Sequence, residues 1–419
     1  MKVAICTIGS RGDVELYIAL GIELAKLGYE IYISAPIIYR NLVQEANLNY
    51  LVMNAVNPQD MMKIPEVEQA FASGSKIKPL ILLVKKSKPV ISEFLNEMYQ
   101  NTQGMDAVIA SMILYGAYDG AEKQGIPCIY SLLNPAVPTR EFPTVVAPHI
   151  PRFLYKASHK YFEKGFWLCF KKVCNTLRKN KWGLPKLASC PIDILRTNNV
   201  PILLGYSEAI IPKPKDWIDN EIITGYWQRA PKAEFTPNPE LVEFLNSGNS
   251  RPIYIGFGSM PIGDVNNLLN TIKGALRISS ERAVIFLSYN QRTQLAHDDH
   301  IYLINSTPHS WLFPKVAATV IHGGAGTCAA SLRAGKPTIV IPFMGDQYFW
   351  GDQIYKRGAG PKPIPYKSLN ALNLAKSINE AVNNIQMIEN AKHIGEILRK
   401  ENGAALAAKK IHLYLKSKL

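Results

Sequence analysis

The sequence predicts an α/β protein made of two doubly wound, Rossmann-like domains. Three observations predict it. Short continuous apolar runs alternate with stretches of helical spacing, the alternation occurs twice, and a proline-rich seam divides the two series. Continuous apolar strands separated by helices indicate parallel sheets covered on both faces. The 419 residues also suit two domains of about 200 residues each better than one.

In the first series the strand-length runs are 3–8, 30–34, 107–111, 127–131 and 200–205. In the second they are 253–257, 283–288, 301–304, 318–322 and 338–341. Between most of them lie segments with apolar residues at helical spacing, such as Val14 to Leu27 and Val265 to Ile278. Residues 229–239 carry three prolines and no periodicity, which reads as a linker. The expected division is therefore 1–228, a linker at 229–239, and 240–399, with a helical tail over about 386–419. Ligands of open α/β sheets bind beyond the carboxyl ends of the strands. Two such domains facing each other across a cleft make the loops after the strands the places to look for chemistry.

Composition narrows the setting. The 47% hydrophobic content supports two ordinary cores, and no apolar run reaches the roughly 18 residues that would span a membrane. Met1 and Lys2 lead directly into a strand-length run, so no secretory signal is read and a cytoplasmic location is expected. The cysteines (Cys6, Cys128, Cys169, Cys174, Cys190 and Cys328) form no C-x-x-C pair, which argues for isolated thiols instead of zinc or a disulfide framework. The net charge of +14 is concentrated: residues 151–190 hold ten Lys or Arg against one acid, Glu163. Phe153, Tyr155, Tyr161, Phe162, Phe166, Trp167, Phe170 and Trp182 interleave with them. That pattern fits either a solvated basic face over a helical core or peripheral contact with an anionic membrane through 151–182. Nucleic acid is not expected as a partner.

Four loops carry candidate chemistry. Gly9-Ser10-Arg11-Gly12-Asp13 follows the first strand and enters a helix. Asp13 there is either a helix N-cap or a carboxylate presented to a ligand. His322-Gly323-Gly324-Ala325-Gly326-Thr327 follows a strand and opens a helix, so backbone N–H groups and the positive end of the helix dipole can meet a diphosphate. It lacks the lysine of a P-loop. Asp346-Gln347, after strand 338–341, suits neighbouring sugar hydroxyls, or Asp346 simply caps the next helix. Gly256-Phe257-Gly258-Ser259 is a further small-residue turn. No two aspartates stand two positions apart, so the Asp-x-Asp pair that holds a divalent ion on a diphosphate is missing, and no metal is expected.

Taken in order, these blocks resemble the GT-B glycosyltransferases of the sterol glucosyltransferase group, relatives of the antibiotic-aglycone glycosyltransferases. The resemblance runs nearly end to end. It includes Gly9 to Val14, Asn198-Asn199-Val200-Pro201, Thr224-Gly225-Tyr226-Trp227, Tyr254 to Ser259, Pro308-His309, Trp311 to Pro314, His322 to Thr327, Ser331 to Gly335 and Gly345-Asp346-Gln347. There are departures. Glu15-Leu16 stands where the group has Gln-Pro, and Ile321 and Cys328 stand where many relatives have His and Thr. Pro135 to Pro143 lacks the tryptophan of the sterol enzymes.

The resemblance implies an inverting transferase that moves a hexose from a UDP-sugar, its co-substrate, onto a hydroxyl of a lipophilic acceptor, with no cofactor. It makes 1–228 the acceptor domain and 240–399 the donor domain, with the tail over about 400–419 packing back on the first. Donor contacts are then expected from Gly12, Gly258, Ser259, Ser306, Pro308, His309, His322, Gly323, Gly324, Ala325, Gly326, Thr327, Asp346 and Gln347. Acceptor contacts are expected from Ser10, Phe71, Asn134 and Phe142. No histidine lies in the first loop, so Asp13 is the expected general base and His322 the group at the leaving diphosphate. The acceptor class stays open between sterols or other lipids and polyketide, peptide or phenolic aglycones. A nucleotide-sugar 2-epimerase on the same fold and a binding protein without catalysis are the competing readings.

Overall fold

The structure is a computed structural model, and it describes residues 1–55, 60, 64–72, 78–113, 115–229, 235–248, 250–258, 260, 262, 264–287, 298–305 and 307–418. Two compact units emerge. One comprises Met1–Val67, Lys78–Arg229 and Glu401–Leu419, and the other Glu68–Ile77 and Ala230–Lys400.

The first unit is built on β1 (Lys2–Cys6), β2 (Glu30–Pro36), β3 (Asn49–Met53), β4 (Ala107–Ala110), β5 (Cys128–Leu132), β6 (Ile202–Leu204) and β7 (Glu221–Ile223). Their order is β3-β2-β1-β4-β5-β6-β7, and every neighbouring pair is parallel. The second unit uses β8 (Ile253–Gly256), β9 (Ala283–Phe286), β10 (Ile301–Ile304), β11 (Thr319–Ile321) and β12 (Thr338–Val340). Their order is β10-β9-β8-β11-β12, again all parallel. The order reverses between β1 and β4 in one sheet and between β8 and β11 in the other. These are the topological switch points, where diverging crossovers leave a crevice at the strand ends.

The apolar runs become central strands because both faces are covered. Val3 and Ile5 of β1 pack with Val14, Ile18, Leu20 and Leu24 of the helix Arg11–Lys26. In the second unit Ile253, Ile255, Val320 and Ile339 pack with Leu268, Leu269 and Ile272. Two strands are new relative to the sequence reading, β3 and β7, and both lie at sheet edges. The burial of β3 is weak, and β7 opens on Glu221 with two apolar residues after it, so neither shows the continuous apolar run that marks the others.

The C-terminal helix Gly403–Lys416 belongs to the first unit, where Ala404, Ala407, Ala408, Ile411 and Leu415 join the core. A glycine pair makes the approach possible. Gly225 has φ +87°, and a Cβ on Gly403 would lie 2.4 Å from the Gly225 carbonyl carbon. Beside it Trp227 is fully buried, donates Nε1–H to Thr224 Oγ1 at 2.8 Å and meets the Tyr17 ring edge-on. The Thr224-Gly225-Tyr226-Trp227 block is thus an anchor for the C-terminal segment.

Candidate active site

The first loop leaves β1 beside the switch point of its sheet. Gly9 takes φ +145°, and a Cβ there would sit 2.5 Å from Asp13 Oδ2, so only glycine lets that carboxylate fold back over the turn. Ser10, not Asp13, is the N-cap of the helix Arg11–Lys26. Asp13 stands at the third helical position and reaches back, its Oδ2 accepting from Ser10 N–H at 2.7 Å and from Ser10 Oγ–H at 2.8 Å. Asp13 is half-buried. Burial raises its pKa above the ordinary carboxylate value, and the Ser10 bonds only partly oppose that. Both bonds fall on Oδ2, which leaves Oδ1 with lone pairs for another donor. Glu15, the other acid nearby, is also half-buried and pairs with the exposed Arg11 at 2.8 Å. Partial desolvation suits Asp13 to act as a base, whereas Glu15 is held in an ion pair.

In the second unit the candidate loops leave three adjacent strands. Gly258 follows β8, His322 follows β11, and Asp346 follows β12. The first two flank the switch point. The His322 ring rests between two glycines. A Cβ on Gly324 would stand 2.6 Å from Nε2, and one on Gly258 would stand 3.3 Å from Cε1. Burial, reinforced by His309, pushes the His322 pKa down to about 4, so the imidazole is neutral at pH 7. Its Nδ1 is buried and, among the described residues, has no hydrogen-bond partner. Directly after it the helix Ala325–Arg333 begins, with Gly324 as N-cap and no side-chain cap. Its first N–H groups therefore remain for a ligand. Gly326 is exposed with open space around its Cα, while Ala325 and Thr327 are half-buried. Gly323 has a different reason for being glycine: at φ +94°, a Cβ would overlap Val340 and the Gln347 carbonyl.

The Asp346-Gln347 pair divides its labour. Asp346 is the half-buried N-cap of the helix Gln347–Lys356 and accepts from Trp350 Nε1–H at 3.2 Å. Gln347 is only 5% exposed. Its Oε1 accepts from Phe343 N–H at 2.8 Å and Met344 N–H at 3.1 Å, which fixes the turn after β12. Its Nε2 donates to the Met260 thioether at 3.2 Å, a weak acceptor that a better one can replace. His309 stacks on Phe313 with centroids 4.3 Å apart, and burial lowers its pKa to about 4. Pro308 is the exposed N-cap of the same short turn of helix. Ser259 and Ser306 lie outside the described residues.

The acceptor expectations fare unevenly. Ser10 is exposed at the N-cap of the helix Arg11–Lys26, and Gly12, a donor expectation, is exposed in its first turn. Asn134 is half-buried just beyond the end of β5. Phe71 falls on the helix Pro65–Ala72. Phe142 is buried edge-on against His159 and Trp217, a packing position more than a ligand wall. The sequence reading missed an apolar cavity of about 30 Å³ in the first unit. Met112, Tyr115, Tyr130, Leu132, Phe162 and Phe166 line it, where β4 and β5 end. The signal lay in the basic segment. Phe162, Phe166 and Phe170 stand four residues apart, and Tyr115 packs on Phe166 and Phe170. Trp167 and Trp182 are buried as well, so only part of that aromatic series faces solvent. Among the described residues no three His, Cys, Asp or Glu side chains group to hold a metal ion.

Two all-parallel Rossmann-type sheets, with glycine-rich loops at the switch point of each, are the architecture of the GT-B glycosyltransferases. Residues 3–143 match the glycosyltransferase family 28 N-terminal domain, and residues 271–410 match the erythromycin biosynthesis protein CIII-like C-terminal domain. A sterol 3-beta-glucosyltransferase of Arabidopsis thaliana is 30% identical over 100% of this chain and 69% of its own length. A sterol 3-beta-glucosyltransferase of Kluyveromyces lactis is 33% identical over 97% of this chain, which spans 34% of that longer protein. Among solved structures, the glycotransferase of kitacinnamycin superposes with a TM-score of 0.69 at 16% identity, covering 99% of this chain and 98% of its own. The chain belongs to the glycosyltransferase family that contains these sterol 3-beta-glucosyltransferases.

Proposed function

We propose that the protein transfers glucose from UDP-glucose to a hydroxyl of a sterol or another lipophilic acceptor, with inversion at the anomeric carbon and no divalent metal. The observation that carries this reading is the uncapped, glycine-rich helix start beneath His322, whose buried Nδ1 has no partner among the described residues. Such a site offers an anion several N–H donors and a helix dipole, which is the neutralisation a leaving diphosphate requires. The missing Asp-x-Asp pair points the same way.

In this reading Asp13 takes the proton from the acceptor hydroxyl as that oxygen attacks the anomeric carbon. The bond from that carbon to the diphosphate oxygen breaks, and UDP leaves with the electron pair. A positioned general base typically contributes about 10²–10⁴-fold. Gly324, Ala325, Gly326 and Thr327 hold the diphosphate with His322. Asp346 and the Gln347 amide bind sugar hydroxyls. The likeness to sterol 3-beta-glucosyltransferases supports a hydrophobic acceptor. The lost tryptophan in Pro135 to Pro143 favours a second reading, in which the acceptor is a natural-product aglycone.

The test is mass spectrometry of products formed from UDP-glucose with a mixed panel of sterols, glycerolipids, polyketides and phenols. The proposal expects a hexosyl conjugate of a sterol or lipid. A conjugate of an aglycone alone would move the acceptor to the second reading. Release of UDP with no conjugate would replace both with the epimerase reading.

A further inference from the structure

The helix Tyr155–Leu177 turns two different faces to its surroundings. Inward, Trp167, Phe170 and Cys174 are buried, so the helix is a fixed part of the first unit. Outward, Tyr161, Lys164, Leu168 and Lys172 are all exposed, and their spacing of three and four residues places them on one stripe. Phe153 is 83% exposed, Tyr161 76% and Leu168 58%. Large apolar side chains exposed in a row are unusual unless something covers them. Lys160 is exposed beside the stripe. Beyond its end lies a groove lined by Lys171, Lys172, Asn175, Thr176, Lys179 and Lys186. The one acid in this stretch does not offset these cations, because Glu163 is paired with Arg196 at 2.8 and 3.0 Å.

We propose that this face, with the lysine groove at its C-terminal end, docks the protein on an anionic phospholipid bilayer. Charge complementarity selects the occupant together with the apolar row. Lysines attract acidic headgroups, while Phe153, Tyr161 and Leu168 enter the boundary between headgroup and acyl chain. From residue 161 to 172 the stripe runs for about 16 Å at the rise of a helix, and Phe153 stands exposed on the turn that precedes the helix. The groove then takes a headgroup phosphate between Lys172, Lys179 and Lys186. Among the described residues no helix is long and apolar enough to cross a membrane, so contact of this kind is in-plane.

The experiment is co-sedimentation of the full chain with phosphatidylcholine vesicles, with and without phosphatidylserine. Binding is expected only to the anionic vesicles, and it should fall as salt is raised from about 0.1 M to 1 M, where the screening length drops from about 10 Å to 3 Å. The variant Lys164→Glu/Lys172→Glu/Lys179→Glu should lose about 10²-fold or more in partitioning. Phe153→Ser, on an exposed turn, should weaken binding at every salt concentration, and it decides the matter if the triple variant melts early. Inorganic phosphate at millimolar concentration should not displace the protein, which separates a bilayer from a free anion. Equal binding to neutral vesicles, no vesicle binding, or capture by polyanionic DNA alone would overturn the proposal.

Discussion

Position 13 concentrates the chemistry of the first loop. Asn can accept the same Ser10 N–H bond that Asp13 Oδ2 accepts, so Asp13→Asn should preserve the helix start and the fold. Turnover should fall by about 10²-fold or more while calorimetric UDP-glucose affinity stays near wild type. Turnover within a few-fold of wild type would remove Asp13 from the mechanism. Because burial raises its pKa, the acid limb of the wild-type pH–rate profile should lie above about 3.9, with activity present above that limb and lost as pH falls through it. The Asn variant should lack this limb. Gln347 is more constrained than its sequence position suggests, since one oxygen secures two backbone N–H groups. Gln347→Ala should therefore lower the melting temperature as well as weaken UDP-glucose binding. If the amide contacts sugar, UDP binding should suffer far less. Equal losses for both ligands would confine Gln347 to holding the turn.

At the scale of elements, most parallel strands and the glycine-rich loops after them were legible because their signals are local. Apolar runs such as Ile253 to Gly256 end in glycine, and the loop His322 to Thr327 carries its own punctuation. The edge strands β3 and β7 were not legible, although the edge strands β10 and β12 were, since β3 is only partly buried and β7 offers two apolar residues after Glu221. Nor could spacing reveal which aromatics of the 151–182 segment turn inward, because the Tyr115 they pack against lies forty residues or more away in sequence. The same holds for the charge at Arg178, counted with the basic cluster but fully buried. Arg178 binds Asp119, Glu122 at 3.0 Å and the Pro185 carbonyl, tying the helix Tyr115–Gln124 to the turn after Tyr155–Leu177. Arg178→Leu leaves Asp119 buried without its cation. The expected cost is about 3–5 kcal/mol of unfolding free energy by urea titration. A loss below about 1 kcal/mol would show that the pair is not held as described.

On the scale of the whole molecule, the chain closes its first unit with its last helix. Gly403→Val would drive a side chain into the Gly225 backbone, and overpacking of this kind costs about 1–3 kcal/mol. Differential scanning calorimetry should show a lowered transition, and an unchanged trace would mean that the C-terminal helix does not pack there. Two Rossmann-type units, each with its ligand loops at a switch point, give the account its central claim. That claim is direct, metal-free displacement at the anomeric carbon of a UDP-sugar. The most direct test is the anomeric configuration of the product, read by proton NMR after turnover of α-linked UDP-glucose and a sterol in excess chelator. The account predicts a β-glucoside formed at an undiminished rate. An α-glucoside, or turnover that stops in chelator and returns with magnesium or manganese, would contradict it.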